Sequence, residues 1–324
     1  MARLVVGILR GGPSDEYAHS LKTGAEMLNA LPDDRYDTRD IFVDKKGYWH
    51  LRGTPSDLNR ILSQMDVVLN AMHGGPGENG TVQRILDRAG IPYAGARAHA
   101  AALSLHKGRA REALAEAGIS IPRGVAFSID DERNTGEMAQ EVFSQFSPPY
   151  IVKPAQGGGS VGVRYVPTIV ELPDAIGDTL DAYGSAVVEE YVRGHEASVG
   201  VIENFRDEDL YALPPVHVIA PEGARFVHAD VRSQGLVSHT VPSRFSPEEK
   251  QQLEDVARAA HRALGMSHFS NADMILTRRG PVLLEVDAHP TLHEHSTFPK
   301  ALDSVGSSTG EFLEHIIRLA QQGK

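Results

Sequence analysis

The chain has 324 residues, more than one ordinary domain, and its 41% hydrophobic and 23% charged composition is that of a globular protein rather than a disordered or fibrous one. Its formal charge of -11, from 43 acidic against 32 basic residues, argues against a general nucleic-acid or anionic-membrane surface, while leaving room for a local basic pocket for phosphates. The absence of cysteine excludes a disulfide framework, a thiolate zinc site and a cysteine nucleophile. No stretch approaches the roughly 20 apolar residues of a membrane helix. The short run Leu4 to Leu9 is no signal-peptide core, so cytoplasmic residence is the expectation.

In chain order, Leu4 to Leu9 reads as a buried strand running into the turn at Gly11 and Gly12, and Ser20 to Leu31 as a helix. A second apolar strand, Asp66 to Met72, feeds the glycine-rich HGGPGENG segment from His73 to Gly80, after which Thr81 to Ala89 has helical spacing. Strand, glycine loop and helix recurring in this way predict an open α/β sheet, with ligands gathered at the carboxyl ends of its strands. Residues 107 to 117 form a charged amphipathic helix stopped by Gly118 and Pro122, a passage into a second domain. Strands follow at Tyr150 to Lys153, Val161 to Val166, Ala186 to Val192 and Ala197 to Ile202. A strong amphipathic helix spans 247 to 264, and Ala272 to Leu276 pairs with Pro281 to Val286 around Arg278 to Gly280. The fold class expected is α/β, with mixed α+β character in the C-terminal half.

Three groups of residues point to chemistry. The loop Gly157-Gly158-Gly159-Ser160-Val161-Gly162 lies between two strands directly after Lys153, where glycines let backbone amides approach an anion. It is not a Walker A loop, since no Lys-Ser/Thr pair follows, and it does not open a helix. Taken alone it fits a phosphate cradle better than a simple hairpin turn. Glu285 and Asp287 project from one face of a strand, with Asp273 on its neighbour, a hard-oxygen set suited to Mg²⁺. The apolar neighbours Val282 to Leu284 and Val286 argue against a merely solvated acidic edge. Glu189 and Glu190, with Glu196 close behind, read in isolation as a solvated acidic turn. His73, alone after a strand, is equally well a structural histidine or a ligand.

In this order GGPSDEYAHSLKTG, HGGPGENGT, GIPYAGARAHAAALSLHK, IVKPAQGGGSVGV, VVEEYVRGHE and NADMILTRRGPVLLEVDAHP resemble the ATP-grasp superfamily, and within it the D-alanine-D-alanine ligase family. The resemblance covers most of the chain and implies three domains: an N-terminal α/β substrate domain at 1–102, a central lid domain at 103–185, and a metal and substrate domain at 186–324. ATP would be clamped between the last two. Lys107 and Lys153 would neutralise its phosphates, with Gly158 and Gly159 in the lid above them. Glu189 would meet the adenine amino group, the backbone at Val192 would read the ring, and Glu196 would hold the ribose. Asp273, Glu285 and Asp287 would hold two Mg²⁺ ions, or Mn²⁺ in their place. Glu16 would anchor the ammonium of the first amino acid, His73 would lie near it, Ser160 near the amino-acid substrates and Ser296 at the second carboxylate. The activity implied is ATP-dependent ligation of two D-alanine molecules through an acyl phosphate, for peptidoglycan synthesis, by a homodimer.

Six positions depart from the family pattern. Asn271 stands where an arginine usually steadies the transferred phosphate and the oxyanion, and Val231 and Arg232 stand where a lysine-tyrosine pair is usual; a one-residue shift would let Arg232 stand in for the lysine. Asp287 replaces an asparagine, Thr291 a glycine and Gly159 a serine. Two alternatives follow from these changes: a ligase using another acceptor such as D-lactate or D-serine, or a nucleotide-binding homologue that has lost transfer.

Overall fold

A computed structural model of the chain describes residues 3–158, 161–223 and 236–323. The first sheet is built from β1 (Leu4–Gly11), β2 (Tyr36–Val43), β3 (Trp49–Leu51), β4 (Thr54–Pro55), β5 (Val67–Asn70) and β6 (Tyr93–Ala94), in the order β4-β3-β2-β1-β5-β6. Its four strands β2, β1, β5 and β6 run parallel, with helices α1 (Tyr17–Ala30), α2 (Leu58–Leu62) and α3 (Thr81–Ala89) as connections. Parallel strands covered on both faces read as continuous apolar runs, which accounts for Leu4 to Leu9. Val6 and Ile8 pack on the side of α1, whereas Leu9 packs with Ile61 and Leu86 of α2 and α3 on the other. β1 ends at Gly11 because a Cβ there would sit 2.2 Å from the Val43 carbonyl oxygen, at φ 92°.

After α4 (Ala98–Leu105) and α5 (Lys107–Glu116), a second, antiparallel sheet forms from β7 (Gly124–Ser128), β8 (Tyr150–Pro154), β9 (Arg164–Val166) and β10 (Ser185–Glu190), in the order β7-β10-β8-β9. Helices α6 (Thr135–Gln145) and α7 (Leu172–Tyr183) cover one face, burying Met138, Val142, Ile176 and Leu180 against Tyr150 and Val152. Asn134 and Glu137 close a reciprocal cap at the start of α6, satisfying two of its orphan amides. β10 is hydrogen-bonded to both β7 and β8, so this sheet is complete only at Glu190.

The third sheet contains β11 (His195–Phe205), β12 (Glu208–Ala212), β13 (Val216–Ile219), β14 (Ser238–Thr240), β15 (Phe269–Thr277) and β16 (Gly280–Asp287), in the order β14-β13-β11-β15-β16, with β12 also paired to β11. Helix α8 (Pro247–Ala263) starts at the Ser246–Glu249 capping box and lays Leu253, Ala257 and Ala260 on the sheet. Two further helices, α9 (Thr297–Ser304) and α10 (Thr309–Gln321), leave this sheet and return to the first. Phe312, Leu313, Ile316 and Ile317 of α10 share one core with Val6, Ile8, Val67 and Leu69. The first and third sheets are thus welded through a common core, and the second sheet stands between them in sequence but has its own. Among the described residues no helix is long and apolar enough to cross a membrane.

Phe312 is fully buried, with ring centroids 5.2 Å from Phe269 and 5.0 Å from Phe298. Phe312→Ala is expected to lower the free energy of unfolding by about 3–5 kcal/mol, whereas truncating Ile129, which is 54% exposed, should change it by less than about 0.5 kcal/mol. Urea denaturation of the two variants checks this; equal effects would mean that α10 does not belong to the first core.

Candidate active site

The second and third sheets face each other across a cleft of about 880 Å³, its open mouth included. Lys107, Lys153, Gly158, Glu189, Val192, Glu196, Asp273 and Glu285 all line it. Residues from four separate sequence motifs therefore meet in one place, the two lysines on one side and the two carboxylates of the β15–β16 hairpin on the other. Ile151 of β8 and Leu284 of β16 add apolar wall, which suits a planar ring.

On the second sheet, Glu189 is buried between two cations, with Lys153 Nζ 2.7 Å from Oε2 and Arg111 Nη1 2.8 Å from Oε1. β8 and β10 set this up, because Lys153 and Val187 are register partners and Glu189 lies two residues on along the same face. Glu189 is thus no solvated turn residue. Its carboxylate has lone pairs beyond the two in use, enough to accept one more donor from a ligand. Lys107 starts α5, its backbone N–H donating to the Ala155 carbonyl at 2.9 Å. Its ammonium donates to the Gly157 carbonyl in the glycine loop and lies 3.8 Å from Glu285 Oε2. Burial holds Lys107 below the ordinary lysine value, although Glu285 pulls the other way.

On the third sheet, cross-strand register places Asp273 opposite Glu285, and Asn271 opposite Asp287. Ser198, on β11, faces Asp273 from the other side and donates to Oδ1 at 2.8 Å. Asn271 Nδ2 donates to the same oxygen at 3.0 Å and to Ser198 Oγ at 2.9 Å. Asn271 is therefore buried and spent on orienting Asp273. Among the described residues no three His, Cys, Asp or Glu side chains are gathered tightly enough to hold a metal by themselves. Asp273 and Glu285, as a facing pair of hard-oxygen donors in the cleft, nevertheless fit Mg²⁺, which takes one or two carboxylates and completes its shell with water and phosphate oxygens. Asp287 lies one register step beyond and does not line the cleft.

A second cluster adjoins the glycine loop. A Cβ on Gly158 would stand 3.2 Å from Glu16 Oε1, so the loop comes close against Glu16 at a glycine. Glu16 occupies the N-cap position of α1 without a side-chain capping bond, and Glu78 lies close by. Burial first, then the charge of Glu78, lifts Glu16 to about 7, and burial together with the charge of Glu285 lifts Glu78 to about 7 against the hydrogen bond from the Gly74 backbone. Burial followed by the charge of Glu78 drives Asp287 well above the carboxylate range. His73, wholly enclosed, is held below the ordinary histidine value by that burial. Its Nε2 is 2.9 Å from Thr23 Oγ1 and its Nδ1 3.4 Å from Glu78 Oε1. Ser296 Oγ is buried without a hydrogen-bond partner. Gly159, Ser160, Val231 and Arg232 lie outside the described residues.

Glu78, Arg111 and Ser198 were not singled out in the sequence. Glu78 hides in a segment whose glycines dominate it, and Arg111 carries a weak signal, sitting one helical turn from Lys107 on the same face. Ser198 carries none, since only the β11–β15 register brings it to Asp273.

With this geometry in place, comparison with known proteins is direct. Residues 113–318 match the family described as D-ala D-ala ligase C-terminus and residues 52–96 the one described as D-ala D-ala ligase N-terminus. The D-alanine-D-alanine ligase of Desulforudis audaxviator is 31% identical over 319 residues, spanning 98% of each chain. The crystal structure of the VanG D-Ala:D-Ser ligase from Enterococcus faecalis is similar with a TM-score of 0.83 and 25% identity, over 98% of this chain and 100% of that one. The D-alanine-D-alanine ligase of Bacillus anthracis, complexed with ATP, gives 0.82 and 25% over 99% and 100%. Sequence and architecture agree along the whole length: the chain has the ATP-grasp fold and belongs to the D-alanine-D-alanine ligase family.

Proposed function

We propose that the protein joins two D-alanine molecules into D-alanyl-D-alanine at the expense of ATP, as a cytoplasmic homodimer supplying peptidoglycan synthesis. The observation that carries this reading is the single cleft in which Lys107 and Lys153 oppose Asp273 and Glu285. The chain divides in this proposal into a substrate unit at 1–102, a lid unit from 103 to the end of β10 at Glu190, and a metal and substrate unit beyond it.

In the first step a carboxylate oxygen of one D-alanine attacks the γ-phosphorus of ATP, and ADP leaves. Lys107 and Lys153 neutralise charge on the phosphates, and the loop at Gly157 and Gly158 covers them. Glu189 accepts from the adenine amino group, Val192 reads the ring and Glu196 holds the ribose. Asp273 and Glu285, joined by Asp287, would hold Mg²⁺, which supplies Lewis-acid neutralisation of the transferring phosphoryl group. Glu16 takes the ammonium of the first D-alanine, with His73 and Ser160 beside it. In the second step the amine of another D-alanine, held at Ser296, attacks the acyl carbon, and phosphate leaves. Loop closure excludes the water that would otherwise hydrolyse the acyl phosphate. Arg232 supplies positive charge that Asn271 does not. A second reading, ligation to a different acceptor such as D-serine or D-lactate, is favoured by one observation: Asn271 is committed to Asp273 and Ser198, leaving the acceptor side differently furnished.

Mixing enzyme, ATP, Mg²⁺ and D-alanine should release phosphate in proportion to dipeptide formed, and phosphate release indifferent to D-alanine would sink the proposal; product mass across acceptors separates its two versions. Lys153→Met should lower kcat/KM by about 10²–10³ without unfolding the chain. Glu16 and Glu78 yield a separate expectation. Their folded values near 7 lie above the ordinary 4.5, so the stability they contribute is complete below pH 4.5 and is lost as pH rises through 7. The Tm of the ligand-free protein should therefore drop by several degrees between those limits, and Glu78→Gln should flatten that drop. An unchanged slope in the variant would show that Glu78 is not a buried, protonated group.

A further inference from the structure

Glu16 and His73 adjoin a group of histidines that has no part in the lining of the nucleotide cleft. His19 lies three residues after Glu16, which stands at the N-cap position of α1, so the two share a face of the helix. Further along that face, Thr23 bonds His73 at 2.9 Å and accepts from the backbone N–H of Leu292 at 3.4 Å. This side of α1 consequently looks onto the 288–296 segment. There the ring of His293 stacks on that of His19, with centroids 6.0 Å apart and planes 25° from parallel, and His295 follows at 6.4 Å. The backbone N–H of Ser296 donates to the His293 carbonyl at 2.8 Å, so a single turn carries the His293 ring and the Ser296 hydroxyl. That hydroxyl is buried without a partner, a polar atom in want of a ligand.

The groups facing His293 are His19 and Lys22 from α1, His295 and Glu294 from its own loop, and His73 from the loop after β5. All but Glu294 are basic, and Glu294 is exposed and lies 3.1 Å from His295. Burial first and then these basic neighbours press His293 down to about 4. The negative charge of a carboxylate seated among them would pull the other way. An amino-acid acceptor brings one carboxylate, and charge-assisted donors are what such a group needs. Asn271 offers neither charge nor a free amide, being tied to Asp273 and Ser198.

We propose that His293, backed by His19 and Lys22, binds the carboxylate of the acceptor amino acid beside Ser296. The inference rests on the functional reading above and adds to it the side chain that holds the acceptor. Initial rates of phosphate release at saturating ATP, for the unaltered enzyme, His293→Gln and His293→Arg at about pH 6.5 and about pH 8.5, test it. His293→Gln should raise the KM for the acceptor D-alanine about tenfold at the lower pH, with the KM for ATP and the Tm unchanged. His293→Arg should restore tight binding at both pH values. The unaltered enzyme should lose acceptor affinity as pH rises, beyond the change seen in either variant. An unaffected acceptor KM in His293→Gln, or a failure of arginine to improve on glutamine, would overturn the assignment while leaving the ligase reading intact. An unaltered enzyme whose phosphate release ignores every D-amino acid would remove that reading and this inference together.

Discussion

The register of β15 constrains more of this protein than any other single feature. The strand is hydrogen-bonded on both sides, to β11 and β16, and its alternate residues have separate duties. Ala272, Met274 and Leu276 are buried under α8, while Asn271, Asp273 and Ile275 face the other way, toward the cleft side. A slip of one residue would put Asp273 into an apolar core and Met274 into the cleft, and would separate Asp273 from Ser198 and Glu285 simultaneously. The hydrophobic face that stabilises the sheet therefore also aims the carboxylates, so catalytic placement and folding are enforced by the same hydrogen-bond ladder.

Charge is sorted by sheet in the same manner. The second sheet and α5 bring Lys153, Lys107 and Arg111, and the third brings Asp273 and Glu285. Within the second sheet Glu189 is buried but flanked by two cations at hydrogen-bond distance, an arrangement in which desolvation is offset only because both partners are present. At the other end of the site the carboxyls of Glu16, Glu78 and Asp287 are buried, and that burial first, then the charge of neighbouring carboxylates, raises their affinity for protons. An ammonium arriving there relieves a repulsion that the folded chain maintains, the kind of electrostatic preorganisation that an amino-acid site requires.

Much of this was legible in the sequence because periodicity and glycine placement are local. β1, α3, α8 and the β15–β16 hairpin lie close to where apolar spacing and turn residues put them. The lysines, Glu196, Asp273 and Glu285 could be chosen on side-chain chemistry and motif order. Other features were not legible, for two reasons. Short or half-exposed elements such as β3, β4 and β9 have too few residues to display a period, and the strand expected from Val161 begins only at Arg164. Partnerships made through distant register, such as Ser198 with Asp273 or Arg111 with Glu189, leave no trace in spacing. Glu189 illustrates the difference: two adjacent glutamates look solvated until the neighbouring strand delivers Lys153 to one of them.

The seating of α10 beneath the first sheet also bears on how the molecule comes into being. Val6, Ile8, Val67 and Leu69 have their apolar partners in Phe312, Leu313, Ile316 and Ile317, at the opposite extreme of the chain. Contacts so remote in sequence close late, since loop closure must come before the contacts that reward it. During synthesis this sheet must wait, one face covered only in part by α1, until the helix at Thr309–Gln321 has left the ribosome. Glu16 and His73 lie in the connections that leave β1 and β5 of that waiting sheet, so their final surroundings are complete only once the chain's most remote contacts have closed.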